Sequence, residues 1–162
     1  MKYKNKLMKK YKHKNSFIEE SLNEYKDKID LQKESNTSLS SYRVEKPWGY
    51  EIWMDLNEHY VYKLIHFNAG NKGSLQSHEY KYESIFVIEG EAEVIIENDE
   101  GILESKIYKA GMGWSIPLHR KHRVIAHKDF TLLEVSSPYL NDVIRHEDDL
   151  NRKSGKIQDE HV

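Results

Sequence analysis

From Tyr42 to about Tyr139 the chain is written in short runs of Val, Ile, Tyr, Phe and Trp, broken by turn clusters, and no helical period persists across it. That texture permits only an all-β body. Strands are predicted near Tyr50–Asp55, Tyr60–Phe67, Ser84–Ile88, Ala92–Glu97, Glu104–Tyr108, Trp114–Ile116, His122–Ala126 and Thr131–Val135, with turns at Asn68–Gly73, Asn98–Gly101 and His127–Asp129. Their number and spacing suit a small barrel or double-sheet jelly roll. A length of 162 residues leaves room for one such body and an extension, so the expected division is 1–41, 42–152 and a loose tail over 153–162. The stretch that begins Arg145-His146-Glu147-Asp148 is charged and reads as irregular.

The extension opens with seven lysines and no acid among its first fourteen residues, a solvated arm with no apolar segment behind it, so neither a secretory signal nor a membrane span is expected. Ser16 and Glu19 then have capping-box spacing, and Ile18, Leu22, Tyr25 and Ile29 form one apolar stripe. A helix from about Phe17 to about Glu34 follows, its stripe packed on the body or on a second subunit. Ser35–Ser41 is a polar linker. The net charge of −2 argues against nucleic acid held by bulk field, and the absence of cysteine removes disulfides, thiolate nucleophiles and sulfur-ligated metals. A cytoplasmic protein with nitrogen or oxygen donors is expected.

Nine histidines are scattered along the chain, and only some fall into ligand spacing. His13 and His161 lie toward the ends. Gln76 and His78 are two apart and share one face of an extended segment, and Glu83 begins the next strand, where a turn can return it beside them. His122 starts another strand after the turn containing Pro117 and can supply a fourth donor from across the barrel. Lys63 shares its face with Ile65 and Phe67 and so points inward, while His66 faces the other way.

These stretches resemble the two signatures of the cupin superfamily. Gly70, Gln76-x-His78, Glu83 and Gly90 have the first spacing, with Gln76 where a His usually stands; Gly111, Pro117-x-His119 and His122 have the second, with His119 in place of a Gly. The resemblance implies a double-stranded β-barrel with Gln76, His78, Glu83 and His122 around a divalent metal. The chain is closer still to the C-terminal isomerase part of the type II mannose-6-phosphate isomerases. Lys46-Pro47-Trp48-Gly49, Ser74-Leu75-Gln76-Ser77-His78, Ile116-Pro117, His122-Arg123, Leu133-Glu134-Val135 and Arg145-His146-Glu147-Asp148 echo that family's motifs, and Gln at the first ligand position is its own feature. Lys81 stands where the family has Arg, keeping the charge without the bidentate fork.

The resemblance implies an aldose–ketose isomerase of a sugar or sugar phosphate, with zinc the best fit to the donor set and iron, manganese, cobalt or nickel as other candidates. Lys63, which matches a family lysine, is expected in substrate contact or in a structural ion pair; Glu134 as a proton shuttle or an outward strand residue; Arg145 on a phosphate or in a salt bridge to Asp148 or Glu147; and Lys81 in substrate recognition. Two other readings stand beside it. One is a further metal-dependent cupin enzyme, an Fe(II) oxygenase or a sugar-nucleotide-modifying enzyme; the other is a non-catalytic sugar-binding cupin. A homodimer is expected from the resemblance, paired through edge strands or terminal segments.

Overall fold

A computed structural model describes residues 16–25 and 41–160. The lysine arm, Ile29 and the rest of the expected helix, most of the linker, His13 and His161 lie outside the described residues.

Among the described residues twelve strands form two antiparallel sheets. They are β1 (Tyr42–Lys46), β2 (Gly49–Leu56), β3 (Val61–Phe67), β4 (Asn71–Lys72), β5 (Leu75–Ser77), β6 (Glu83–Glu89), β7 (Glu91–Glu97), β8 (Leu103–Lys109), β9 (Gly113–Ile116), β10 (His122–Ala126), β11 (Phe130–Ser136) and β12 (Ile144–Glu147). The first sheet runs β1-β2-β3-β11-β6-β9 and the second β12-β5-β10-β7-β8, with β4 also on β10. All eight predicted strands are present. Four were not read from the sequence: β1, the two-residue β4 inside an expected turn, β5, and β12 in the charged stretch expected to be irregular. β12 forms because β5 supplies its ladder, pairing Ile144 with Ser77 and Arg145 with Gln76, a long-range partner that overrides weak local propensity.

Alternation along β3, β6 and β11 sends Ile65, Phe67, Ile85, Val87, Phe130 and Leu132 inward, against Ala92, Val94 and Ala126 of the second sheet. Register turns this alternation into rows. Trp53, Lys63, Glu134, Ile85 and Trp114 lie side by side across five strands of the first sheet, and Arg145, Gln76, His122 and Ile96 across four strands of the second. Gly49 closes the β1–β2 hairpin with φ of 152°, and a Cβ there would lie 2.0 Å from the His66 carbonyl oxygen, so no other residue fits.

Residues 16–25 are helical, and the face carrying Ser21, Leu22 and Tyr25 packs on the body of the same chain, in a second cluster with Val44, Trp53, Leu56 and Val61. The expected loose tail is not loose over 153–160. Gly155 N–H donates to the Val143 carbonyl (2.8 Å), Arg145 Nη1 donates to the Lys153 and Gly155 carbonyls, and a short 3-10 turn, Gln158–Glu160, places Glu160 against Lys46 (2.9 Å) and Arg152 (3.0 Å). Among the described residues no helix is long and apolar enough to cross a membrane.

Candidate metal centre and its cavity

β5 carries Gln76 and is followed at once by His78, β6 begins with Glu83, and β10 begins with His122. Three consequences of local geometry bring these donors to one point. Gln76 and His122 are directly paired across β5 and β10. The loop between β5 and β6 is folded over Asp142, whose carboxylate accepts from the backbone N–H groups of Glu79 (3.1 Å), Tyr80 (2.6 Å) and Lys81 (2.9 Å). His119 closes the turn before β10 with φ of 67°, the left-handed region favoured by glycine, and its N–H donates to the His78 carbonyl (2.7 Å). The glycine missing from the second signature is thus a missing residue type, not a missing conformation.

The donor atoms of His78, Glu83 and His122 lie within 4.8 Å of one another, and all three side chains are buried. Both imidazoles are oriented from behind. His78 Nδ1 donates to the Asp142 carbonyl (2.5 Å) and His122 Nδ1 to the Arg120 carbonyl (3.0 Å), so each neutral ring turns an Nε2 lone pair inward. Those lone pairs meet Glu83: Nε2 of His78 is 3.2 Å from Oε1 and Nε2 of His122 is 3.4 Å from Oε2. His78 Nε2 is nevertheless a buried atom with no hydrogen-bond partner among the described residues. Close approach without hydrogen-bond alignment is what converging ligands show, and this orphaned donor set fits a divalent cation. Gln76 stands beside them, its Oε1 accepting from Ser74 Oγ (2.9 Å) and its Nε2 3.5 Å from His122 Nε2.

Burial, then Lys81, hold the His78 imidazole below its ordinary value, against the pull of Glu83, which favours the neutral ligand form. Burial works to raise Glu83, but Lys81 at 2.7 Å and the two histidines bring its carboxyl well below the usual carboxylate range. Lys81 is itself buried; desolvation opposes its charge, and Glu83 and Glu134 more than compensate, leaving it raised. Its ammonium is therefore committed to Glu83.

The remaining sequence candidates fall on the same cavity, which His122, Glu83, Lys63, Lys81, Glu134 and Arg145 all line. Lys63 is buried and donates to Glu51 Oε2 (3.1 Å), with its Nζ 4.7 Å from the Trp53 ring centre. Glu134 is not an outward strand residue: it is 6% exposed and accepts from Ser136 Oγ (2.7 Å), and among the described residues no cation lies within ion-pair distance of it. Burial, then Glu83, push its carboxyl up, against Lys63 and Lys81. Arg145 lies 3.9 Å from Asp148, while Glu147 turns instead to Arg123 (3.6 Å). His66 stacks on Tyr50 and contacts Thr131 Oγ1 (2.9 Å), on the face opposite the cavity. Trp48, Trp53 and Trp114 pack on Phe67, Tyr25 and Tyr108 and also line the cavity.

Two functional positions escape sequence reading. Asp142 acts on a loop some sixty residues away, a contact with no sequence signal. Glu51 accepts from Trp53 Nε1 (2.7 Å) and Lys63 Nζ (3.1 Å), and the Lys46 and Lys63 ammoniums together with these hydrogen bonds pull its buried carboxyl well down although burial alone would raise it. Its shared parity with Trp53 in β2 is the signal that places it inward.

Two facing sheets with a His, His and Glu centre define a cupin barrel, and solved cupins share it. The RmlC-like cupin from Shewanella frigidimarina matches with a TM-score of 0.56 at 22% identity, over 67% of this chain and 95% of that one. Oxalate decarboxylase from Bacillus subtilis matches at 0.58 and 17%, over 66% and 30%; the capsular polysaccharide assembling protein CapF from Staphylococcus aureus at 0.56 and 12%, over 68% and 35%. At these identities the shared property is the fold, and this chain spans about a third of CapF. No curated protein sequence matches the chain. The family model described as mannose-6-phosphate isomerase C-terminal matches residues 32–152, and the chain belongs to that family.

Proposed function

We propose that the protein is a metal-dependent aldose–ketose isomerase acting on a sugar phosphate of the mannose 6-phosphate type, in carbohydrate or surface-glycan precursor metabolism. The observation that carries this reading is a division of labour within one cavity: inward lone pairs of His78 and His122 beside Glu83, and the buried carboxyl of Glu134, which has no cation within ion-pair distance among the described residues. His78, Glu83 and His122 would hold the ion, with Gln76 as a fourth donor, and zinc is the ion this set fits best. Once bound, a divalent ion polarises the sugar carbonyl and the adjacent hydroxyl.

The chain's own groups supply the rest. In the aldose-to-ketose direction Glu134 takes the proton from C2 and returns it to C1, while the hydroxyl proton moves from O2 to O1. A carboxyl raised above its ordinary value serves both halves, because its conjugate acid is closer in strength to what it must protonate. Lys63 stays beside Glu134 in register and offsets the charge that develops there. Lys81 fixes Glu83 and contacts substrate only at the edge of that ion pair. The protein acts in the cytoplasm as a homodimer; Phe86, Ile88 and Val135, exposed together on the outer face of β6 and β11, are the surface such a pair would cover.

The test is element analysis of the purified protein with His78→Ala as control, followed by an assay interconverting mannose 6-phosphate and fructose 6-phosphate. The expected result is about one ion per chain, lost in the variant, together with turnover. Metal without turnover on these sugars removes the substrate; no metal removes the mechanism. Two histidines and one carboxylate also satisfy the facial arrangement of iron oxygenases, and oxygen consumption by the Fe(II)-loaded protein would favour that second reading.

A further inference from the structure

The family match ends where two other parts of this chain begin. The helix over residues 16–25 precedes the matched span 32–152 and the segment 153–160 follows it, yet the two meet each other and the cavity. Lys156 forms an ion pair with Glu24, and its Nζ lies 5.2 Å from the Tyr25 ring centre. Tyr25 is 1% exposed, with its ring 4.7 Å from that of Trp53, the first residue of the row that continues through Lys63 to Glu134. Glu160 ties the same segment to Lys46 and Arg152. Tyr25, Lys156 and Glu160 line the cavity that holds Glu83, His122 and Glu134.

We infer that the helix and the 153–160 segment form the outer wall of this cavity, and that Tyr25 and Lys156 determine which substrate it admits: a sugar bearing an anionic group at the end remote from the reacting carbonyl. Tyr25 closes the side over Trp53, so a ligand at the donors is bounded there by a ring face instead of by solvent. The wall is rich in cations. Lys46, Arg145, Arg152 and Lys156 line it, in ion pairs with Glu24, Glu51, Asp148 and Glu160. Two of these cations are less than fully satisfied. Arg145 is 10% exposed and its Nε is buried without a hydrogen-bond partner among the described residues, and Lys156 has for its anion Glu24, whose side chain is 32% exposed and so can yield to a dianion. The sugar's identity rests on the isomerase reading; the wall does not.

The experiment uses full-length Tyr25→Ala and Lys156→Met, with Tyr25→Leu in reserve should the alanine variant fail to fold. First, the metal-free proteins are treated with diethyl pyrocarbonate and acylation of His122 is followed by mass spectrometry. Removing Tyr25 is expected to speed acylation at least about fivefold, and unchanged rates in the Tyr25 variants overturn the wall. Second, mannose 6-phosphate and mannose are titrated against metal-loaded proteins. Lys156→Met is expected to weaken the phosphorylated sugar about tenfold, which corresponds to 1.4 kcal/mol, and to leave mannose unchanged. Equal changes for both sugars overturn the selectivity. If the wild type binds neither sugar while Tyr25→Ala still exposes His122, the isomerase reading and the anionic substrate fall and the wall stands.

Discussion

The inner face of the second sheet brings two neutral donors to the cavity, Gln76 and His122, whereas the first sheet brings Glu51, Lys63, Glu83 and Glu134 from four different strands. Neutral donors can be buried at little cost when a backbone carbonyl or hydroxyl orients them, as the Arg120 carbonyl orients His122 and Ser74 orients Gln76. Buried charges stand only in pairs. Lys81 holds Glu83 and Lys63 holds Glu51, and of the three carboxyls only Glu134 has no cation within ion-pair distance among the described residues. Gln76 and His122, with His78 and the first sheet's Glu83, are thereby suited to holding an ion, and Glu134 to moving a proton.

Glu134→Gln is the sharpest way to break this division. It keeps the shape and the hydrogen bond to Ser136 but cannot carry a proton, and kcat is expected to fall about 10²–10⁴-fold with bound metal unchanged in element analysis. A parallel loss of metal would show that Glu134 also maintains the ion site, and ion holding and proton transfer would no longer be separable.

How much of this was legible in the sequence follows the same line. The four donors were readable because their spacing is local: Gln76 and His78 two apart, Glu83 at the next strand, His122 after a turn. Lys63 was placed inward by strand parity, but its partner was not, since Glu51 meets it only through the β2–β3 register with a bulge between Trp53 and Asp55. Glu134 carried a motif match yet could not be assigned a face until β11 was set between β3 and β6. β12 and the 153–160 segment were missed for a related reason: their charges look solvated in the sequence and are paired in the fold, Arg152 with Asp148 and Glu160.

Lys63→Met tests the pairing itself. It leaves Glu51 buried with the Trp53 hydrogen bond and, among the described residues, Lys46 at 3.9 Å as its one cation, and is expected to destabilise the fold by about 3–5 kcal/mol in urea unfolding at neutral pH. The double variant Glu51→Gln/Lys63→Met should recover part of that loss, because no charge is then left alone. Acid gives the sign of the same effect. Glu51 is depressed from its ordinary 4.5, so it contributes stability above that value and loses it as pH falls toward the folded-state value. Lys63→Met should therefore show a shallower decline of stability below about pH 4.5 than the wild type. An equally steep decline would assign the acid sensitivity to other carboxylates.

Asp142→Ala probes whether the ion site owes anything to groups that never touch the ion. Its carboxylate gathers three N–H groups of the β5–β6 loop, and its carbonyl, which the substitution retains, fixes the His78 tautomer. Losing the carboxylate frees the loop that carries His78 to Glu83 without altering any donor, so metal affinity in a competitive chelator titration should drop about 10–100-fold, in the range of lost supporting contacts. The proton-moving face is untouched, and kcat at saturating metal should stay within about twofold. A fall in kcat comparable to that of Glu134→Gln would mean that the loop also positions the substrate. An unchanged affinity would mean that the β-ladder between Gln76 and His122, rather than the loop, sets the geometry of the donors.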